Sequence, residues 1–211
     1  DALLDAAAPA GIAIFAWTVP RSTAFEDLAT AVAATRFQTA RGHTFAGLAV
    51  DLERGSEFLG DGPDGYAALT DYLPRLRAAL GGAYPIVATV EDPYLEHLDE
   101  RDFPYAEIAA SADALQPMTY WRMLSNRATT PEAVRATLRA SYAATQRAAG
   151  RRIPLDVGGQ ASVEGKRGAP PAAEIEAAVS EAKALGALGI TFFDWNGTND
   201  AQWRALAETR W

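Results

Sequence analysis

Short apolar runs alternate with amphipathic stretches along the whole chain. The runs are Ile12–Thr18 (IAIFAWT), Phe45–Asp51 (FAGLAVD), Pro85–Val90 (PIVATV), Ala114–Tyr120 (ALQPMTY), Ile153–Val157 (IPLDV) and Gly189–Trp195 (GITFFDW). They are mostly continuous rather than strictly alternating, the pattern of parallel strands whose faces are covered by helices. The stretches between them carry helical spacing and punctuation. Thr23 and Glu26 are placed for a capping box, followed by Phe25, Leu28 and Val32 on one face. Tyr66, Leu69, Leu73, Leu76 and Leu80 form a second stripe that stops at Gly81 and Gly82, with Pro74 expected to kink or restart the helix. Thr130 and Pro131 read as cap and first-turn proline for a helix marked by Val134, Leu138 and Tyr142 and ended by Gly150. Ile175, Val179, Ala182 and Leu185 mark another, stopped by Gly186, and a last helix holds Trp203 and Leu206.

Strand starts recur roughly every 30 to 40 residues, the size of a βα unit. No linker or low-complexity run interrupts them, so residues 1–211 are read as a single domain. Six units are visible where a closed barrel needs eight. A doubly wound open sheet also uses six strands, but its glycine-rich phosphate loop is missing from "FAWTVPRST" after the first strand. The expected fold is therefore an α/β (β/α)₈ TIM barrel that lacks or rearranges its first two βα units. "DALLDAAAPAG" reads as the last turns of a helix, consistent with a chain that starts partway through a domain. An upstream segment or a subunit is then expected over the open edges of the first and last strands.

Composition narrows the chemistry. The chain of 211 residues has a formal net charge of −8, which argues against a nucleic-acid groove. There is no cysteine and there are two histidines, His43 and His97, so thiolate or multi-histidine metal sites and a Ser-His-Asp triad are poorly supplied. No stretch approaches the ~20 apolar residues of a membrane span. No metal or organic cofactor is expected.

Parallel barrels place functional side chains at the carboxyl ends of strands. Those ends carry Trp17, Asp51 with Glu53, Glu91 with Asp92, Gln116 through Trp121, Asp156 with Gln160, and Asp194 through Asn196. In "GLAVDLERG", strand alternation puts Asp51 and Glu53 on one side, roughly 7 Å apart along the strand. Two carboxylates so placed repel one another, so one ionises late and can protonate a leaving oxygen; Glu53, nearer the rim, is the expected acid. The competing reading is a solvated strand end paired with Arg54. Trp17, Trp121 and Trp195 are equally suited to stacking on sugar faces and to packing, and Tyr120 to binding a substrate carbonyl or filling a layer. Gln116 and Gln160 offer both donor and acceptor to hydroxyls, or satisfy buried backbone. Asp194, His43 and His97 are read as structural or surface residues, the charged stretch after Val90 as a solvated loop, and "VGGQASVEGKRGAPP" as a loop.

Three places resemble barrel glycoside hydrolases of the chitinase-type family 18 and the lysozyme-type family 25. "GLAVDLE" resembles their fourth strand, which ends in Asp-x-Glu; "ALQPMTYW" is similar to the Met-x-Tyr of their sixth; "GITFFDW" resembles the last, closed by a pocket tryptophan. The resemblance implies hydrolysis of a glycosidic bond in a polysaccharide, one with N-acetyl sugars among the options, at the cell surface or outside the cell. It implies Glu53 as acid, Asp51 as assisting carboxylate, and Tyr120 and Trp195 at the sugar. The further aspartates of the chitinase signature are absent at Gly47 and Ala49, and Trp121 follows the tyrosine where the signature has aspartate. Those departures suit an alternative, a carbohydrate-binding or scaffolding barrel without turnover. A barrel enzyme for a phosphorylated metabolite is weaker, since "DWNGTND" supplies one glycine.

Overall fold

The six apolar runs become six strands because each is flanked by a helix that removes one of its faces from water. A computed structural model describes residues 1–21, 25–124, 130–162, 167–209 and 211, with the backbone alone for Phe25. The order is α1 (Ala2–Ala7), β1 (Phe15–Thr18), α2 (Phe25–Thr35), β2 (Gly47–Leu52), α3 (Gly62–Leu80), β3 (Ile86–Val90), α4 (Tyr105–Ser111), β4 (Ala114–Pro117), α5 (Pro131–Ala148), β5 (Asp156–Gln160), α6 (Ala172–Ala184), β6 (Gly189–Phe193) and α7 (Asp200–Glu208). The fold is mixed α/β, and its six strands among the described residues compare with eight in a complete (β/α)₈ barrel. Contacts group the chain into two compact units, Asp1–Val90 with Arg101–Ala114, and Glu91–Glu100 with Leu115–Trp211.

In the first unit β1, β2 and β3 run parallel, with Trp17 opposite Ala49 and Asp51 opposite Thr89. Leu48, Val50 and Leu52 of β2 and Ile86, Ala88 and Val90 of β3 are fully buried on the face shared with the helices. Each of the leucine, isoleucine and valine side chains among them contributes about 1.5–3 kcal/mol by leaving water. Alternation puts Phe15, Trp17, Ala49, Asp51 and Thr89 on the opposite face. Arg77 ties the C-terminal end of α3 to its surroundings: its guanidinium donates to the carbonyls of Ser111 (2.9 Å) and Tyr84 (2.7 Å) and to Asp113 Oδ2 (2.7 Å). The same Asp113 oxygen accepts from the N–H of Ile86 at 2.8 Å, so one ion pair fixes the start of β3 and the approach to β4. Helix α3 continues through Pro74, so of the two expectations there the restart does not occur.

In the second unit β4 is bridged to β5 at Leu115–Leu155 and Met118–Gly158, and β5 pairs in parallel with β6. Trp121, Val134, Leu138, Val157, Ala178 and Ala182 form its buried cluster, joined by Ile190 and Phe192 of β6. Strand β5 lies three residues downstream of the expected run. Pro154 has no N–H to give a ladder, whereas Gly158 and Gly159, expected in a loop, lie inside the strand. A Cβ on Gly158 would stand 2.6 Å from the carbonyl oxygen of Pro117, and one on Gly159 would meet Ile190 and Phe192, so glycine is needed for close packing. Other boundaries shorten: β1 starts at Phe15, leaving Ile12 58% exposed, and β4 ends at Pro117. Thr130 caps α5 as expected, accepting from the N–H of Ala133. The expected partner of Glu26, Thr23, lies outside the described residues.

Candidate active site

Strand β2 carries the sharpest chemistry. Asp51 sits one residue before its end, and Glu53, half-buried, follows directly. Asp51 is 7% exposed, and its Oδ1 has no hydrogen-bond partner. Burial pushes its carboxyl up to about 6, from an ordinary 3.8, while a hydrogen bond from the Trp17 side chain acts in the opposite direction. Burial, not repulsion by a second carboxylate, is thus the cause of the raised value at Asp51. Trp17 is 60% exposed, so its ring also offers a face to solvent. The first unit therefore holds a desolvated carboxyl with one unmet acceptor, an indole beside it, and a second carboxylate two residues on.

The second unit holds the other sequence candidates in three separate arrangements. Tyr120 packs on Phe193, with ring centroids 5.7 Å apart and planes at 32°. Gln116 donates from Nε2 to Asp156 Oδ2 at 2.5 Å, and Thr191 donates to the same oxygen at 2.6 Å. Burial raises the Asp156 carboxyl, against the lowering effect of those two donors. Asp156 opens β5, so it lies at the amino end of the strand and not, as expected, at its carboxyl end. Gln160 does close β5, but it is 1% exposed and its Oε1 accepts from the N–H groups of Arg122 and Met123, both at 3.2 Å. It holds the chain after β4 in place.

Trp121 and Trp195 part company. Trp121 is 2% exposed within the hydrophobic cluster and donates its indole N–H to Glu174 Oε2 at 3.0 Å. Arg122 forms an ion pair with the same carboxylate, from Nε to Oε2 at 2.8 Å and from Nη2 to Oε1 at 2.7 Å. A ring so enclosed has no face for a sugar, and Trp121 is a core residue. Trp195 is 77% exposed and meets Trp203 of α7 edge-on, centroids 4.6 Å apart and planes at 60°. The ring against Tyr120 is Phe193, which sequence reasoning passed over because Trp195 was the more conspicuous aromatic. Asp194 is structural as read: its Oδ1 accepts from the N–H of Gly197, and its carbonyl from the Thr198 hydroxyl.

Two expectations need correcting around these residues. The stretch after Val90 begins buried: Glu91 is 6% exposed and Asp92 is fully enclosed. Asp92 accepts from the N–H groups of Tyr94 and Leu95 and from the hydroxyl of Thr119 at 2.7 Å, and burial raises its carboxyl. The alternation of charges hid this turn. His43 is not a bare surface residue, since its Nδ1 lies 2.7 Å from Asp5 Oδ1. The same oxygen accepts from the Thr39 hydroxyl, and these bonds, Thr39's foremost, hold Asp5 below the usual aspartate range. Among the described residues no group of three or more His, Asp or Glu side chains is placed to hold a metal ion, and no helix is long and apolar enough to cross a membrane.

No protein-family model matches the chain, and no curated protein does either. Solved structures do. A class V chitinase from Pseudomonas fluorescens Pf-5 superposes with a TM-score of 0.63 at 14% identity, covering 97% of this chain and 83% of that one. In fold, the chain is similar to family 18 glycoside hydrolases. A family 18 N-acetylglucosaminidase from Paenibacillus barengoltzii gives 0.58 at 14% identity over 92% of this chain and 81% of its own. The glycoside hydrolase domain of PgaB from Bordetella bronchiseptica gives 0.57 at 14% identity, over 94% and 74%.

Proposed function

We propose that the protein is a glycoside hydrolase acting on a polysaccharide, with Glu53 as the proton donor and Asp51 as the assisting carboxylate. The observation that carries this reading is Asp51 itself. A carboxyl 93% withdrawn from solvent, with one oxygen unpartnered, costs stability unless a ligand or a developing charge makes use of it. Its near-neutral ionisation lets it alternate between accepting a hydrogen bond from substrate and bearing negative charge beside a cationic centre. An acetamido N–H is a donor of the right kind, and participation of an acetamido group is a known variant of the two-carboxylate scheme. Several neighbours in fold are named for chitin or N-acetylglucosamine chemistry, which supports a substrate of that class.

Trp17, whose side chain bonds Asp51, is proposed to contact substrate in the first unit, and Tyr120, Trp195 and Gln116 are proposed as substrate residues of the second. Trp121 and Gln160 are assigned instead to support the frame, given their burial and bonding. The complete (β/α)₈ barrel belongs to the same proposal. Strands β1 and β6 are each terminal in their own sheet, so a further chain segment or a subunit would cover their edges.

The test is a panel of chitin, peptidoglycan, chitosan and β-1,3-glucan oligosaccharides, followed by release of reducing ends. Glu53→Gln is expected to lower kcat by about 10²–10⁴-fold with binding retained, since glutamine keeps shape but has no proton to give. Asp51→Asn should lose less. Binding without turnover in the wild-type protein would overturn the hydrolase reading in favour of a non-catalytic carbohydrate-binding barrel, the reading that absent carboxylates at Gly47 and Ala49 favour.

A further inference from the structure

An indole that is 77% exposed at a strand end has no packing reason to hold one orientation unless something outside the strand supplies it. At Trp195 that support comes from α7. Trp203, itself 36% exposed, meets the Trp195 ring at 4.6 Å and 60°, the edge-to-face geometry that aromatic quadrupoles favour. The frame behind this contact is well fixed. Asp194 closes the 194–198 turn through Gly197 and Thr198. Asn199 caps α7, its Oδ1 accepting from the N–H groups of Ala201 (2.9 Å) and Gln202 (3.4 Å). Gln202, 6% exposed, donates from Nε2 to the carbonyl of Pro170 at 2.9 Å and anchors the helix next to Trp203. One ring of the pair is thus held by a helix, and the other presents most of its surface to solvent. A flat apolar face of this kind suits a pyranose, whose ring is apolar above and below.

We propose that Trp203 is a positioning residue: it fixes the Trp195 indole so that the exposed face is already oriented for stacking on a sugar ring. This rests on the carbohydrate reading of the site and adds to it a residue that does not itself touch the sugar. Holding one side chain in place before binding avoids the ordering cost of about 0.5–1.5 kcal/mol, equivalent to roughly two- to tenfold in affinity.

The experiment is a double-mutant cycle on the whole chain, titrated with an N-acetylglucosamine hexasaccharide and with cellohexaose and read alongside circular dichroism. Two indoles this close should give an exciton couplet, lost in both Trp195→Ala and Trp203→Ala. Trp203→Ala should weaken saccharide binding about two- to tenfold in the wild-type background and leave it unchanged in the Trp195→Ala background. Trp203→Phe, which keeps an edge-to-face ring and guards against a misfolded α7, should retain most of the affinity. Equal weakening in both backgrounds, no weakening at all, or a wild-type protein without the couplet would each overturn the proposal. Should the wild-type protein bind neither saccharide, the carbohydrate reading fails and the couplet alone decides whether Trp203 holds the ring.

Discussion

Replacing Asp51 by asparagine should remove a pH dependence from the protein's stability, by an amount the structure allows to be worked out. The carboxyl titrates at about 6 in the folded chain and near 3.8 when solvated. A shift of that size corresponds to about 3 kcal/mol. The folded state holds the proton more tightly, so the contribution is fully present below pH ~3.8 and is lost as pH rises through ~6. At pH 7.5 the wild-type protein therefore carries the whole cost of an ionised, enclosed carboxylate, and at pH 4 only about a fifth of it. Asparagine carries no charge at either pH, although its extra donor, facing an unpartnered site, can cost about 1–3 kcal/mol at both. The clean quantity is the change with pH of the difference between the two proteins. Urea unfolding at pH 4 and 7.5 should show the variant gaining about 2.4 kcal/mol on the wild type between them, most of the full shift. Subtracting one protein from the other also cancels the raised carboxyls of Asp92 and Asp156, which both share. A difference that does not change with pH would mean that Asp51 is solvated, and the main support for its role would go.

Two further outcomes probe the frame. Gly158→Ala should lower stability by about 1–3 kcal/mol, because the new methyl meets the Pro117 carbonyl oxygen, a backbone atom that cannot swing aside; the urea midpoint measures it. Glu174→Ala should cost about 3–5 kcal/mol in the same assay, since it strands the Arg122 guanidinium and the Trp121 N–H in a poorly solvated place.

Much of the architecture was legible in the sequence because burial on one or both faces leaves a mark on every strand. The runs at Phe45–Asp51 and Pro85–Val90 reappear as β2 and β3 with boundaries moved by one or two residues, their apolar side chains against helices. Strand β5 was displaced because its defining residues are glycines. The need for them is set by the Pro117 carbonyl, some 40 residues away in the chain, which no local pattern records. Helix α4 escaped notice because its seven residues, YAEIAAS, carry too short a stripe. At the site, Asp51 was legible from spacing, but the reason for its unusual ionisation was not. Spacing suggests a neighbouring charge, whereas the cause is burial, which strand spacing does not record. The tryptophans show the same divide: sequence named Trp121 and Trp195 together, and only packing distinguishes a core ring bonded to Glu174 from an exposed one resting on Trp203.

Phe15 and Gly47 face one another across β1 and β2, and a Cβ on Gly47 would fall 2.2 Å from the nearest atom of the phenyl ring. The two positions thus share a single allotment of space, and the absence of a side chain at 47 is what lets the phenyl ring lie across the strand. With bulk at both positions the ring, 40% exposed, would have to swing away from β2. Size at 47 and rotamer at 15 are therefore one variable rather than two.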